Sequence, residues 1–219
     1  MYYIYIDEAW RGPLAGPVQV GLIIENISTK AILRDQNDTF PVRNPDIYTW
    51  CVDSKILSES KRDELYTFLT KNKNILRSTA KVSANDIDRH WIVWALRQSI
   101  MRAMHAHFVG GRFTLSSLQS RIISEKHNIT LVIDWPSDFG LRKALWITII
   151  PVIDGDAIIP MISAASIIAK VERDAYMKRL AKRYPQYAFD RHKWYGTKFH
   201  YEMIKKYGLC KEHRKSYIE

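Results

Sequence analysis

The sequence predicts an α/β domain, a mixed β-sheet with helices on both faces. Three observations point there. The first 25 residues hold two apolar runs, Tyr2–Ile6 and Val18–Glu25, separated by a turn rich in glycine and proline. From residue 60 onward, segments with helical periodicity alternate with short apolar runs of strand length. No internal repeat or low-complexity stretch breaks that alternation.

The elements follow in order. Tyr2–Ile6 reads as a first strand and Val18–Glu25, β-branched and apolar, as a second. Asn26–Thr49 is polar and reads as a hairpin loop or insertion. Ser60-Lys61-Arg62-Asp63 resembles a capping box, with Leu65, Phe68 and Leu69 as the apolar stripe of the helix behind it. Ile75–Val82 fits a third strand. Asn85–Phe108 repeats apolar residues at helical spacing and stops at Gly110-Gly111. Leu115–His127 reads as a shorter helix, Thr130–Ile133 as a buried strand and Ile147–Ile153 as another. Ser163–Tyr184 is a long helix halted before Pro185, and Lys198–Tyr207 is a last one.

Acidic residues stand where strands end. Asp7, Asp134 and Asp156 each follow an apolar run, and Glu8 adjoins Asp7. In sheets of this kind ligands gather beyond the carboxyl ends of strands. If those strands are neighbours, four carboxylates converge at one edge, a donor set suited to a hard divalent cation. A strand running into a polar turn would explain Asp7-Glu8 more simply. The basic, tightly turning Arg11-Gly12-Pro13 segment suits approach to a phosphate backbone. None of the seven histidines shows zinc-type spacing.

The formal charge of +10 suggests a polyanionic partner. Between Lys178 and Glu219 twelve Lys/Arg face four acids, so most of the excess lies in the last 42 residues. Tyr184, Tyr187, Phe189, Trp194, Tyr195, Phe199 and Tyr201 interleave with them, a composition fit for a nucleic-acid face. A solvated basic helix whose aromatics pack inward is the alternative. Cys51 and Cys210 are far apart and read as free thiols of a reducing cytosol. No apolar run reaches membrane-spanning length and no leader pattern stands at Met1, so a cytoplasmic protein is expected; a monomer is expected as well.

Five ordered motifs resemble those of type 2 ribonuclease H, the ribonuclease HII family. They are Asp7-Glu8-Ala9 with Arg11-Gly12-Pro13-Leu14-Ala15-Gly16-Pro17; Asp53-Ser54-Lys55-Ile56-Leu57-Ser58; Leu131-Val132-Ile133-Asp134; Gly155-Asp156 with the Ser163-Ala164-Ala165-Ser166 helix running to Asp174; and Tyr184-Pro185-Gln186-Tyr187 with His192-Lys193, Tyr195 and His213-Arg214. The resemblance implies a ribonuclease H-like mixed five-stranded sheet flanked by helices, residues 1–183, and a small C-terminal helical element, residues 184–219. It implies endonucleolytic cleavage of RNA in RNA/DNA duplexes, including 5′ to a single ribonucleotide in DNA. Asp7, Glu8, Asp134 and Asp156 match its ligands for two divalent ions, Mn²⁺ or Mg²⁺. Asp154 and Asp174 are rivals for the last position, and a helix-surface salt bridge would account for Asp174. Arg11 and Gly12 match the turn that reads the ribose 2′-OH, Tyr195 the tyrosine that stacks at the RNA–DNA junction, and Lys55, Ser166 and Lys170 phosphate contacts. An ordinary surface lysine or helix-packing serine would serve equally at those three.

The chain departs from the family in one pattern. Trp10, Trp50, Trp135 and Trp194 stand where the family carries glycine, although glycine fills only about 7% of positions in proteins generally. The expectation is that these codons are UGA, written as tryptophan but read as glycine by the source organism. If the tryptophans are genuine, Trp10 would crowd the minor groove and weaken 2′-OH discrimination, leaving a catalytically impaired nucleic-acid binder. Another nuclease of the same broad fold, resolvase-like, is the remaining alternative.

Overall fold

The structure, a computed structural model, describes residues 1–9, 11–26, 56–125, 128–189 and 194–218. The 26–49 insertion, apart from residue 26, and Trp10, Trp50 and Lys55 lie outside the described residues.

Five strands form one mixed sheet in the order β3-β2-β1-β4-β5. They are β1 (Tyr2–Ala9), β2 (Val18–Asn26), β3 (Leu76–Val82), β4 (Ile129–Asp134) and β5 (Thr148–Val152). β2 lies antiparallel to both β1 and β3, whereas β1, β4 and β5 run parallel. The short turn after β1 permits the hairpin, and the helical connections before β4 and β5 permit parallel pairing. β1 runs on through Asp7 and Glu8 to Ala9, so the acidic pair lies within the strand's last turn of pleat rather than beyond it.

The pleat sorts the side chains into two apolar layers. Ile4, Ile6, Val20, Leu22, Leu131 and Ile133 face α2 (Ala84–Phe108), α3 (Leu115–Ser124) and α4 (Leu141–Leu145). Tyr5, Ile23 and Val132 face α1 (Glu59–Lys71) and α6 (Pro160–Arg183). Between β5 and α6 sits α5 (Gly155–Ile158), and α7 (Lys198–Tyr207) lies near the C-terminus.

Helix boundaries moved where capping differs from expectation. Ser58, not Ser60, caps α1, its hydroxyl accepting from the Lys61 N–H at 3.2 Å. Ser83 caps α2 in the same way through Asp86. α6 begins three residues earlier than expected because Pro160 fits its first turn, where the missing N–H costs nothing. α3 stops at Ser124, short of His127.

One close approach governs the packing of α6. Gly21 on β2 lies directly against this helix, its Cα side facing the Ala165 carbonyl and Ala169 N–H. The buried run Ser163-Ala164-Ala165-Ser166 has side chains small enough to let the helix backbone down onto the sheet. A methyl group on Gly21 would overlap the Ala165 carbonyl oxygen. Gly21→Ala is therefore expected to cost about 1–3 kcal/mol as overpacking. For a chain of this size that lowers Tm by roughly 2–4 °C per kcal/mol. Thermal unfolding followed by circular dichroism checks it, and an unchanged Tm would show that α6 can lift away freely.

Candidate active site

β1 and β4 are adjacent and parallel, with Ile6 beside Ile133. The next residue of each strand is Asp7 and Asp134, so the sheet itself places these two carboxylates side by side. Both share the face that carries Tyr5 and Val132, the face covered by α6. Asp156 arrives from α5, immediately after β5. Ligand oxygens of Asp7, Asp134 and Asp156 all lie within 4.8 Å of one another. Three carboxylate oxygens at that separation fit a hard divalent cation, because without one their charges oppose each other.

Neighbouring groups hold each acid. The Ser166 hydroxyl of α6 hydrogen-bonds Asp7. The Gly155 N–H donates to Asp134 Oδ1 at 2.8 Å and the Asp156 N–H reaches Oδ2 at 3.4 Å. The N-terminal end of α5 thereby orients the strand-borne carboxylate. Asp7 also accepts the Glu8 N–H at 2.7 Å.

Burial raises the Asp7 carboxyl from 3.8 to about 7; the Ser166 hydrogen bond opposes this and the charges of Asp134 and Asp156 add to it. Burial, then the charge of Asp7, raises Glu8 from 4.5 to about 8, with Arg11 pulling the other way.

Glu8 stands outside the close trio. It follows Asp7 in the strand and so points across the pleat, where it meets Arg11 Nε at 3.4 Å. It nevertheless lines the same cavity of about 300 Å³ as the three aspartates. Lys170 and Asp154 line that cavity too. Asp174 does not; it sits beside the buried Arg173, with 3.7 Å between Oδ1 and Nη1. Of the rivals to Asp156, Asp174 is thus placed elsewhere and Asp154 stays at the rim.

The substrate-contact candidates divide. Arg11 lines the cavity, Gly12 follows it in the chain, and the Tyr195 ring, half exposed, lies next to Gly12. Ser166 is fully buried beneath Asp7, so it is placed to orient a ligand rather than to meet a phosphate. The sequence reading missed this role because a buried serine on a small-residue helix looks like packing. Lys55 is outside the described residues. The Arg11 guanidinium sits over Trp135, its carbon 3.3 Å from the ring centroid.

The C-terminal segment is stitched to this turn. Arg214, fully buried, donates from Nε to the Gly16 carbonyl at 2.9 Å and from Nη1 to the Arg11 carbonyl at 2.6 Å. Its backbone N–H donates to Leu14 O, and Leu14 N–H donates to Trp194 O. A histidine relay holds Tyr195. Cys210 N–H donates to His213 Nδ1, so the His213 proton sits on Nε2, 3.1 Å from His200 Nε2. That leaves His200 Nδ1–H to donate to the Tyr195 carbonyl at 3.0 Å. The aromatics of the basic tail divide accordingly, with Tyr187, Phe189 and Trp194 buried and Tyr195, Phe199 and Tyr201 exposed. Among the described residues no helix is long and apolar enough to cross a membrane, and Cys210 is a free thiol.

Comparison with known proteins gives the family and the fold. A family model described as ribonuclease HII matches residues 4–219. A ribonuclease HII of Fusobacterium nucleatum is 36% identical over 217 residues, covering 98% of this chain and 85% of the relative. One of Shewanella piezotolerans is 34% identical over 215 residues, covering 98% and 87%. Among solved structures, ribonuclease H2 from Pyrococcus horikoshii OT3 superposes with a TM-score of 0.67 at 24% identity, over 99% of this chain and 93% of that one. The Mn²⁺ complex of Bst-RNase HIII gives a TM-score of 0.61 at 13% identity, over 95% and 63%. The mixed five-stranded sheet flanked by helices is the ribonuclease H fold, and the chain belongs to the ribonuclease HII family, an endoribonuclease by that membership.

Proposed function

We propose that this nuclease hydrolyses the RNA strand of RNA/DNA duplexes and cuts 5′ to single ribonucleotides embedded in DNA. The observation that supports this most directly is the trio of Asp7, Asp134 and Asp156 in a cleft lined by Arg11, with Gly12 next in the chain and the Tyr195 ring beside Gly12. The three aspartates would hold divalent ions, Mn²⁺ or Mg²⁺, two by the family resemblance, with Glu8 completing the donor set from the other side of β1. Such ions supply Lewis acidity for in-line displacement at a phosphodiester.

The chain's own residues do the rest. Ser166 and the amides of Gly155 and Asp156 fix the carboxylates before substrate arrives. The Arg11–Gly12 backbone, held from behind by Arg214, reads the 2′-OH, the group that separates RNA from DNA at one sugar. Tyr195 offers an exposed ring at that turn for stacking. Lys170 in the cleft and the basic residues of 184–219 meet phosphates, so the C-terminal element completes the substrate face.

Cleavage of a DNA duplex carrying one ribonucleotide tests the reading. A single cut 5′ to the ribose is expected with Mn²⁺ or Mg²⁺, and none with chelator; a cut that persists in chelator overturns it. Groups that orient metal ligands are typically worth 10–100-fold, so Ser166→Ala should lower turnover by about that much. Loss of a ligand itself, Asp134→Asn, should exceed about 100-fold.

The raised carboxyls add a pH dependence with a definite sign. Asp7 and Glu8 hold protons to about 7 and 8 in the fold but release them near 3.8 and 4.5 when unfolded. Between those limits the native state binds more protons, so these groups make the metal-free protein less stable as pH rises. Their penalty is absent below about pH 4 and complete above about pH 8. Asp7→Asn is therefore expected to raise the metal-free Tm at pH 8 and leave it unchanged near pH 4, while Mn²⁺ raises the wild-type Tm more at pH 8 than at pH 5. Melting curves at these pH values decide it; an Asp7→Asn gain that shrinks as pH rises would contradict the assignment.

A further inference from the structure

Six non-glycine residues among the described ones have positive φ, and three of them are tryptophans: Trp91 at 69°, Trp146 at 55° and Trp194 at 71°. For bulky side chains such a backbone is an outlier. Only five tryptophans are described, so the concentration is on this residue type.

Each site has the character of a glycine position. Trp91 interrupts α2 with φ 69° and ψ 162°, a region occupied essentially by glycine alone. Trp146 follows α4 in the left-handed conformation, its N–H closing onto the Arg142 carbonyl, which is the usual place for a helix-ending glycine. Neither indole gains burial in return, being 65% and 55% exposed. Trp194 shows the opposite difficulty. It is completely buried, and its ring centroid lies 3.2 Å from that of Phe189, well inside the separation of about 4.5–7 Å that aromatic pairs prefer.

Composition agrees. The chain has nine glycines in 219 residues and seven tryptophans. The usual glycine share of about 7% would give about fifteen. Converting every tryptophan except Trp94 makes up that difference. Trp94 lies in regular helix, packs on His90 with 4.2 Å between centroids, and contacts the core.

We propose that positions 91, 146 and 194 are glycine in the protein the source organism makes, and that one codon, UGA, read there as glycine, stands behind these tryptophans and behind Trp135. A single decoding rule explains several strained sites at once, whereas separate mutations would each have to survive their own strain.

At the cleft, position 135 then determines how the recognition turn is presented. Trp135 follows Asp134, lines the cavity and holds the Arg11 guanidinium on its ring. With glycine at 135 the cavity widens beside Asp134 and Arg11 is released toward substrate. This consequence rests on the proposed function; the glycine assignments at 91, 146 and 194 do not.

The test uses the full chain. Trp91→Gly and Trp146→Gly are each expected to raise Tm by roughly 2–4 °C, and Trp94→Gly to lower it. A fall at 91 and 146 like that at 94 overturns the proposal. The codons give a second readout: UGA at 91, 135, 146 and 194 with UGG at 94 supports it, and UGG at all five sinks it. For the cleft, Trp135→Gly should raise turnover of a single-ribonucleotide duplex at least tenfold over the written chain; an unchanged rate overturns the role given to position 135. Absence of cleavage in every variant would count against the proposed function, while the melting and codon results would still judge the glycine assignment.

Discussion

The bare backbone of Gly21 decides how the acidic edge of the sheet is built. Gly21 pairs directly across from Asp7, and both face α6. With no side chain at 21, the helix backbone settles onto β2 at Ala165 and Ala169. That descent brings Ser166, one residue beyond Ala165, within hydrogen-bonding reach of Asp7. A larger residue at 21 would lift the helix and remove the hydroxyl from its carboxylate. Tight packing and ligand orientation are therefore one contact rather than two separate features, and the small-residue run of α6 serves both.

The same close packing makes the acids expensive to keep. Asp7 is withdrawn from water beneath α6 and set beside Asp134 and Asp156, so its charged form is disfavoured. A hard divalent cation would relieve that penalty. Parallel pairing of β1 and β4 fixes the spacing of two acids, and the amides at the start of α5 fix the orientation of one. Rigid elements set the geometry, and the cation's charge is what the assembled acids lack. Sites of this kind commonly lower stability in exchange for function.

Much of this was legible in the sequence, for reasons that differ by residue. Strands β1, β2 and β4 were visible because β-branched apolar runs end abruptly at acids or turns. The convergence of Asp7, Asp134 and Asp156 needed strand adjacency, which periodicity alone does not reveal; the ordered motifs implied it. Ser58 and Ser60 both precede the same apolar stripe, and only backbone geometry shows which hydroxyl meets the Lys61 N–H. α4 and α5, five and four residues long, are too short to show a period. The separation of Glu8 from the trio follows from strand alternation and could have been read once β1 was carried through to Ala9. The roles of Ser166 and Arg214 depend on partners about 160 and 200 residues away in the chain, beyond any local signal.

Arg214 shows why the basic tail cannot be treated as a detachable nucleic-acid arm. Its positive charge is not presented to solvent at all. It is buried, and burial pulls its guanidinium down to about 10, Tyr217 and Asp88 opposing that shift. Its donors go to the carbonyls of Arg11 and Gly16, at either end of the turn beside the acids. Those carbonyls belong to a glycine- and proline-rich loop that backbone bonds from Leu14 to Trp194 and from Gly16 to Glu212 also anchor to the C-terminal segment. A charge-assisted hydrogen bond to a carbonyl is stronger than a neutral one, and burial strengthens it further. The tail thus contributes in two ways. Its described lysines and several of its aromatics are exposed, while Arg214 shapes the backbone of the turn beside the acids. The same short segment that carries most of the excess positive charge thus also fixes the backbone of the turn beside the acids.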